Sequence, residues 1–296
     1  MNADFLSPDT KAGKLRRHVL ELYRQHQKAG TIPTSARFLY YELIAANVIS
    51  KEKPEVKEGC KMTRRTDQCV IDALTKLRET IDPKTGEAYI PWDAIEDETR
   101  QLEDYRASET IAAGMRKAWE NARLDLWYPD LPPIILCESR SLLGALRGLA
   151  YEYTVPIAST NGQCAGFLHT TIAPELKTDQ VILYLGDLDF GGGHIEANTR
   201  DVLEKYSDLM WERVAVTPEQ VKEFHLVTIP KRDARDGKRH PAVETEALGQ
   251  TRIVQLLRDR LDDLLPPGRA EDVQERQNQQ REAIGIKLGY LEDVGE

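Results

Sequence analysis

The sequence predicts an α/β protein that joins a mostly helical amino-terminal domain to an open, mostly parallel sheet domain. Three observations carry this. Residues 12–81 hold three amphipathic helical segments in succession. Beyond residue 133, short continuous apolar runs alternate with helical patterns. Between these textures, Pro129-Asp130-Leu131-Pro132-Pro133 punctuates the chain. At roughly 100–200 residues per domain, the 296 residues accommodate two domains. Hydrophobic residues at 41% and charged residues at 30% permit a core and exclude a disordered chain. No apolar run approaches the roughly 20 residues that span a bilayer, and Met1-Asn2-Ala3-Asp4 lacks the layout of a secretory signal. The expectation is a soluble, cytoplasmic protein with no membrane partner.

The first helix is expected over 12–29, where Leu15, Val19, Leu22 and Tyr23 recur at helical spacing and Gly30 stops the run. Thr34 or Ser35 can cap a second helix running to about Val48. After a polar loop at 51–63, a third is expected over 64–81, with Val70, Ile71, Leu74 and Leu77 on one face. Asp82 to Gly86 is a turn and 88–92 a short strand. Three helices, a turn and a strand form the order of a winged helix-turn-helix, in which one helix enters the DNA major groove; small three-helix bundles without that role share it. The winged-helix-like domain is assigned to 1–100. Residues 93–126 have an acidic, helical pattern, so 101–129 is assigned as a helical connector.

The sheet domain is assigned to 130–265. Ile134-Ile135-Leu136-Cys137 is a continuous apolar run of the kind a buried parallel strand needs. The helical segment SLLGALRGLAYEY follows, then strands at 155–158, 181–185 and 213–216. Thr217-Pro218-Glu219-Gln220 opens a helix, with a Thr cap, Pro at the first helical position and Gln at the capping-box position. The segment from 248 is an amphipathic helix, and 266–296 is a polar, helical tail.

The chemistry concentrates where strands end. Glu138 follows IILC directly; Asp187 and Asp189 follow VILYLG, with Phe190-Gly191-Gly192-Gly193 next. Ligands of open parallel sheets sit at the carboxyl ends of the strands, and alternation sends Asp187 and Asp189 to one side. Converging carboxylates repel unless a cation neutralises them. An all-oxygen set without His or Cys suits Mg²⁺, a hard ion, and the glycines let backbone approach a metal or phosphate closely. An Asp-x-Asp after an apolar strand also arises as a turn signal, and it opens aspartyl-phosphate phosphatases and nucleotide-sugar transferases as well.

Strand–Glu138, helix, strand, strand–Asp187-Leu188-Asp189-x-x-Gly192 resembles the Toprim domain, a Rossmann-like parallel-sheet fold of topoisomerases, primases and nucleases. The match is similar in particular to the topoisomerase VI A subunit and its relative, the meiotic double-strand-break transesterase, in a minimal stand-alone form. Phe190 stands where those relatives have Pro. The stretches 213–221 and 243–257 also look like later segments of small Toprim proteins. In that family a winged helix carries the nucleophile in a motif Arg-x-x-aromatic-Tyr, and this chain has Arg37-Phe38-Leu39-Tyr40-Tyr41 in its second helix. The resemblance thus implies Tyr41 as nucleophile and Arg37 as its companion; Tyr40, at helical spacing from Leu43 and Ile44, fits the core better. The resemblance also implies Mg²⁺ on Glu138, Asp187 and Asp189, and a homodimer in which one protomer's tyrosine works with the other's metal. The implied reaction is DNA cleavage by transesterification, as in a type IIB topoisomerase. No Gly-x-x-x-x-Gly-Lys-Ser/Thr is present, so strand passage would need a separate ATPase subunit.

Charge fits double-stranded DNA as partner only regionally. The net charge is −9, yet residues 1–81 carry 15 Lys and Arg against 10 Asp and Glu, leaving the remainder at −14. Arg64, Arg65, Lys231 and Arg232 are the candidate DNA contacts, although solvated helix faces and loops give the same pattern. Glu244 and Glu246 could add carboxylates to the metal edge, although surface charge is the expectation, and His169 and His194 have no assigned role. The cysteines at 60, 69, 137 and 164 show no zinc spacing and are expected as free thiols. Three further readings stay open: a hydrolytic Toprim nuclease without a covalent intermediate, a non-catalytic DNA-binding protein with a degenerate metal site, and a phosphotransferase that uses Asp187 as nucleophile.

Overall fold

The computed structural model describes residues 5–51, 65–96, 104–162, 165–232 and 237–290. Thr10 starts α1 (Lys11–Ala29) by accepting from the Gly13 amide at 2.9 Å, and Gly30 ends it in the left-handed conformation. A two-residue strand, β1 (Thr34–Ser35), leads into α2 (Ala36–Ala45), where the Ser35 side chain caps the Phe38 amide. Helix α2 is apolar nearly all round and is buried accordingly. Its Leu39, Tyr40, Tyr41, Leu43 and Ile44 pack with α1 and α3 (Gln68–Glu79), whereas Phe38 enters the core of the sheet domain. α2 is therefore shared by both halves.

Two expectations here are corrected. The third helix starts at Gln68, so Arg65 lies in the turn before it. No strand forms over 88–92: Ala88 makes only an isolated antiparallel bridge to Ile81, across the expected turn. Pro91 has no N–H to donate, and residues Trp92–Ala94 wind into a 3₁₀ turn. The pairing falls to β2 (Ile95–Glu96), which runs parallel to β1. The connector's described part contains α4 (Ile111–Asn121), capped by Thr110.

Then come β3 (Ile134–Cys137), α5 (Arg140–Glu152), β4 (Ile157–Ser159), the short α6 (Ala165–Phe167) with a π turn after it, and β5 (Gln180–Leu185). They are followed by α7 (Phe190–Leu203), β6 (Leu209–Ala215) and α8 (Pro218–Glu223). Strands β3 to β6 form one all-parallel sheet in the order β4-β3-β5-β6. Alternate side chains go to opposite faces. Ile135, Cys137, Leu183 and Leu185 face α5 and α9 (Gln250–Leu264); Ile134, Leu136, Ile182 and Tyr184 face the π turn and α7. The Thr217 capping box is present at α8. From β3 the chain moves outward to β4, and from β5 it moves the opposite way to β6. A crevice at the carboxyl ends of β3 and β5 follows from that reversal.

An antiparallel hairpin, β7 (Ile229–Arg232) and β8 (Arg239–Ala242), was not expected from the sequence. Past it, Val243 exchanges both backbone hydrogen bonds with Leu188, at 2.9 and 3.0 Å. The tail forms α10 (Arg269–Lys287). Among the described residues no helix is long and apolar enough to cross a membrane. Cys69 and Cys137 are free thiols; Cys60 and Cys164 lie outside the described residues.

A polar network ties α2 to the start of α9. Gly249, at φ +78°, precedes α9 and offers no side-chain cap; Glu42 supplies one, accepting from the Gln250 amide at 3.2 Å. The other Glu42 oxygen meets His26 Nε2 at 2.8 Å, and His26 Nδ1 meets Thr31 Oγ1 at 2.8 Å. Gln250 Nε2 donates back to the carbonyls of Thr31 and Pro33. Glu42→Ala strands both a buried imidazole and a helix amide. It is expected to lower the unfolding free energy by about 1–3 kcal/mol, read as a fall in the urea midpoint. An unchanged midpoint would show that the network adds no stability.

Candidate metal centre and tyrosine pocket

Asp187 sits just beyond β5, and its position is held from several sides. Arg213 donates through Nη2 to the carbonyls of Gly186 and Asp187, both at 2.7 Å, and pairs through Nη1 with Glu196. The Asp187 amide donates to Glu138 Oε2 at 2.9 Å. Asp187 Oδ1 accepts from the Thr245 amide and hydroxyl, at 3.0 and 3.1 Å. Gly186 is required by space: a Cβ there would lie 2.7 Å from the Tyr184 hydroxyl and 2.9 Å from Glu138 Oε2.

The Leu188–Val243 bridge brings Glu244 and Glu246 to the same place. Asp187, Glu244 and Glu246 each present a carboxylate oxygen within 4.8 Å of the others. The expected surface position of the two glutamates is wrong, since Glu246 is 0% and Glu244 9% exposed. Glu246 Oε1 receives Arg37 Nε at 2.7 Å, Ser139 Oγ at 2.9 Å and Ser141 Oγ. Glu244 receives Arg37 Nη2 at 3.0 Å and Lys51 Nζ at 2.7 Å. The other possible place of the two glutamates, beside the acids of the metal edge, is the one they occupy, and a tertiary pairing puts them there.

Of the acids singled out at the strand ends, Asp187 belongs to this cluster and Glu138 supports it through the Asp187 amide. Asp189 is turned to other partners. Its Oδ1 caps α7 at the Gly192 amide, at 2.6 Å, and its Oδ2 pairs with Lys231 Nζ at 2.5 Å. Lys231 is thus engaged at the acidic edge. Arg65 is exposed and paired with Asp67, Arg232 ends β7, and Arg64 lies outside the described residues. His169 pairs with Tyr206 away from the cluster.

The tyrosine pocket adjoins the carboxylates within one chain. Tyr41 is buried, and Glu244 lies near enough to its phenol to raise the phenol's pKa. Arg37 lies 5.6 Å and Lys51 5.1 Å from its ring centroid. Tyr40 is buried as well, packed edge-on against Tyr41. Burial raises the Tyr41 pKa most, Glu244 raises it further, and Arg37 opposes both. Burial works against the Arg37 charge, yet Glu246, Tyr41, Glu244 and Asp187 hold its pKa above the ordinary value. Asp187 is pushed well above 3.8, first by burial and then by Glu246, Glu244 and Glu138. Burial also raises Glu138. Glu244 goes the other way: Lys51, Arg37 and Lys231 outweigh its burial and keep it ionised.

Asp187, Glu244 and Glu246 can hold a metal ion. Two oxygens on one ion lie no further apart than twice the metal–oxygen distance, about 4.2 Å for Mg²⁺ and about 5 Å for Ca²⁺; oxygens within 4.8 Å of one another meet the Ca²⁺ limit and need only a few tenths of an ångström of closure for Mg²⁺. Glu246 Oε2 is buried with no hydrogen-bond partner, an arrangement that costs about 1–3 kcal/mol and that a cation would relieve. No protein-family model, no curated protein and no solved structure matches the chain, so its functional reading rests on the chemistry of the site.

A carboxyl whose pKa is raised by folding makes the fold less stable as pH climbs from its unfolded value, here near 3.8, through its folded value. Asp187→Asn removes that cost while keeping an oxygen for Thr245. The metal-free variant is expected to melt about 2–4 °C higher than the parent near pH 8, and the parent, unlike the variant, is expected to melt higher with a millimolar divalent cation than without it. A lower melting point of the variant without metal, or an equal cation shift in both proteins, would contradict the assignment.

Proposed function

We propose that the chain is a winged-helix and Toprim protein, similar to a minimal topoisomerase VI A subunit, that cleaves DNA by Mg²⁺-dependent transesterification through Tyr41. The observation that supports this most is the meeting of a phenol with three carboxylates around a single guanidinium. Arg37 lies against the Tyr41 ring and bridges Glu244 and Glu246, beside which Asp187 completes the cluster. Each group has a use in phosphoryl transfer.

Asp187, Glu244 and Glu246 would hold the ion, with Glu138 setting the Asp187 backbone. Bound there, Mg²⁺ supplies charge stabilisation for the phosphate and the leaving oxygen. Arg37 and Lys51 bring positive charge to the phenol ring face, which favours the phenolate that must attack. The Tyr41 oxygen bonds to phosphorus as the bond to the 3′ oxygen breaks, so the 5′ end stays on the protein and the bond energy is conserved. A homodimer supplies two such sites for a double-strand cut. Strand passage requires a separate ATPase subunit.

The burial of Tyr41, 6% exposed, favours a second reading: hydrolysis by water at the same acidic site, with no covalent intermediate. Incubation with supercoiled plasmid and Mg²⁺, followed by a detergent quench, separates the two. Transesterification is expected to leave protein on the 5′ ends, and Tyr41→Phe to abolish cutting by at least about 10³-fold. Free ends, with Tyr41→Phe as active as the parent, would establish the hydrolytic reading instead. Asp187→Ala without effect on any activity would leave a DNA-binding protein only.

A further inference from the structure

We propose that Phe190, together with His194 and His240, forms a stacking platform for one unpaired nucleobase beside the acidic site. The proposal rests on the DNA reading above and specifies which DNA the site prefers. Phe190 is the first residue of α7, directly after Asp189, yet 52% of its surface is exposed. His194 lies one helical turn on, with its ring centroid 4.8 Å from that of Phe190 in edge-on contact. The His240 ring lies nearly parallel to Phe190, at 21° and 6.2 Å. An isolated exposed apolar side chain is ordinary; here Phe190 and His240 present two nearly parallel rings at the rim of a charged site, and His194 braces Phe190 edge-on.

The hairpin sets this surface in register with the chemistry. Lys231 and His240 are cross-strand partners, so their side chains share one face. Lys231 reaches Asp189 at 2.5 Å, and His240 reaches Phe190. One hairpin face therefore serves both the acidic edge and the platform. A Cβ at Gly193 would meet nothing within 4 Å, which leaves room for backbone alongside the rings. A nucleotide whose phosphate approaches the carboxylates would have its base within reach of Phe190. Bases inside a duplex are already stacked on both faces. The platform consequently selects DNA with an unpaired base next to the phosphate that reacts, and does so with little sequence preference, because every base has a π face.

The test measures dissociation constants, by fluorescence anisotropy, for a labelled duplex and for the same duplex with a short single-stranded gap. The parent is expected to bind the gapped DNA more tightly, by about 5- to 150-fold for one stacked base. Phe190→Ala should erase that preference while leaving duplex affinity within about twofold. Phe190→Trp should keep the preference and show quenched indole fluorescence on gapped DNA. Equal binding of both DNAs by the parent, or an undiminished preference in Phe190→Ala, would overturn the platform and leave the DNA reading standing. Failure of the parent to bind either DNA would overturn both. A melting curve shows whether Phe190→Ala is folded; if it is not, the Phe190→Trp quench decides the matter alone.

Discussion

The pairing of Arg37 with Glu246 is the constraint on which the site depends. Glu246 is fully buried, and a carboxylate removed from water without compensation costs several kcal/mol. Ser139 and Ser141 supply hydrogen bonds from the start of α5, but the neutralising charge comes from α2, in the other half of the chain. Seating α2 on the sheet edge and building the acidic cluster are consequently one event. Arg37 also fixes the tyrosine, because Tyr41 lies one helical turn further along the same face. The offset between the two residues is a distance requirement: a guanidinium that reaches the sheet's carboxylates leaves the phenol over the same pocket.

Within the sheet domain, the cluster is assembled from backbone more than from side-chain contacts. Arg213 grips the carbonyls of Gly186 and Asp187, Glu138 grips the Asp187 amide, and Val243 grips Leu188 on both sides. The turn after β5 thus has little freedom, and the Asp187 carboxyl is delivered to Thr245 and the two glutamates. Glu138 lies beside Asp187 because β3 and β5 pair in parallel with Cys137 opposite Leu185. Its contribution in this arrangement is to hold its neighbour rather than to join the trio.

The strands and helices whose signals are local were legible in the sequence. The run Ile134–Cys137 is a strand with those bounds, and the tetrad from Thr217 forms its capping box. What stayed hidden depends on pairing between distant segments. The hairpin escaped notice because Ile229–Arg232 and Arg239–Ala242 carry prolines and charges in place of an alternating apolar pattern. Without the hairpin nothing brought residue 243 to residue 188, so Glu244 and Glu246 stood only as a second choice for the metal edge, behind surface charge. Asp187 was visible because its strand is strong. Asp189 was visible too, but its contacts with the Gly192 amide and Lys231 could be read only in three dimensions.

The state of the Tyr41 phenol shows how the parts depend on one another. Burial, Glu244 and Glu246 all favour the protonated form, and Arg37 opposes them. Burial is fixed by the packing of α2, and the Arg37 charge is permanent at any ordinary pH. The carboxylates are the adjustable contribution. Cations already crowd Glu244, which shows that the pocket tolerates positive charge against it. Any further cation that neutralises Glu244 and Glu246 removes the negative field at the phenol and leaves the attraction of Arg37 unopposed except by burial. The same carboxylates that would hold an ion therefore also govern how readily the neighbouring tyrosine can ionise, and the two functions cannot be separated by moving either group alone.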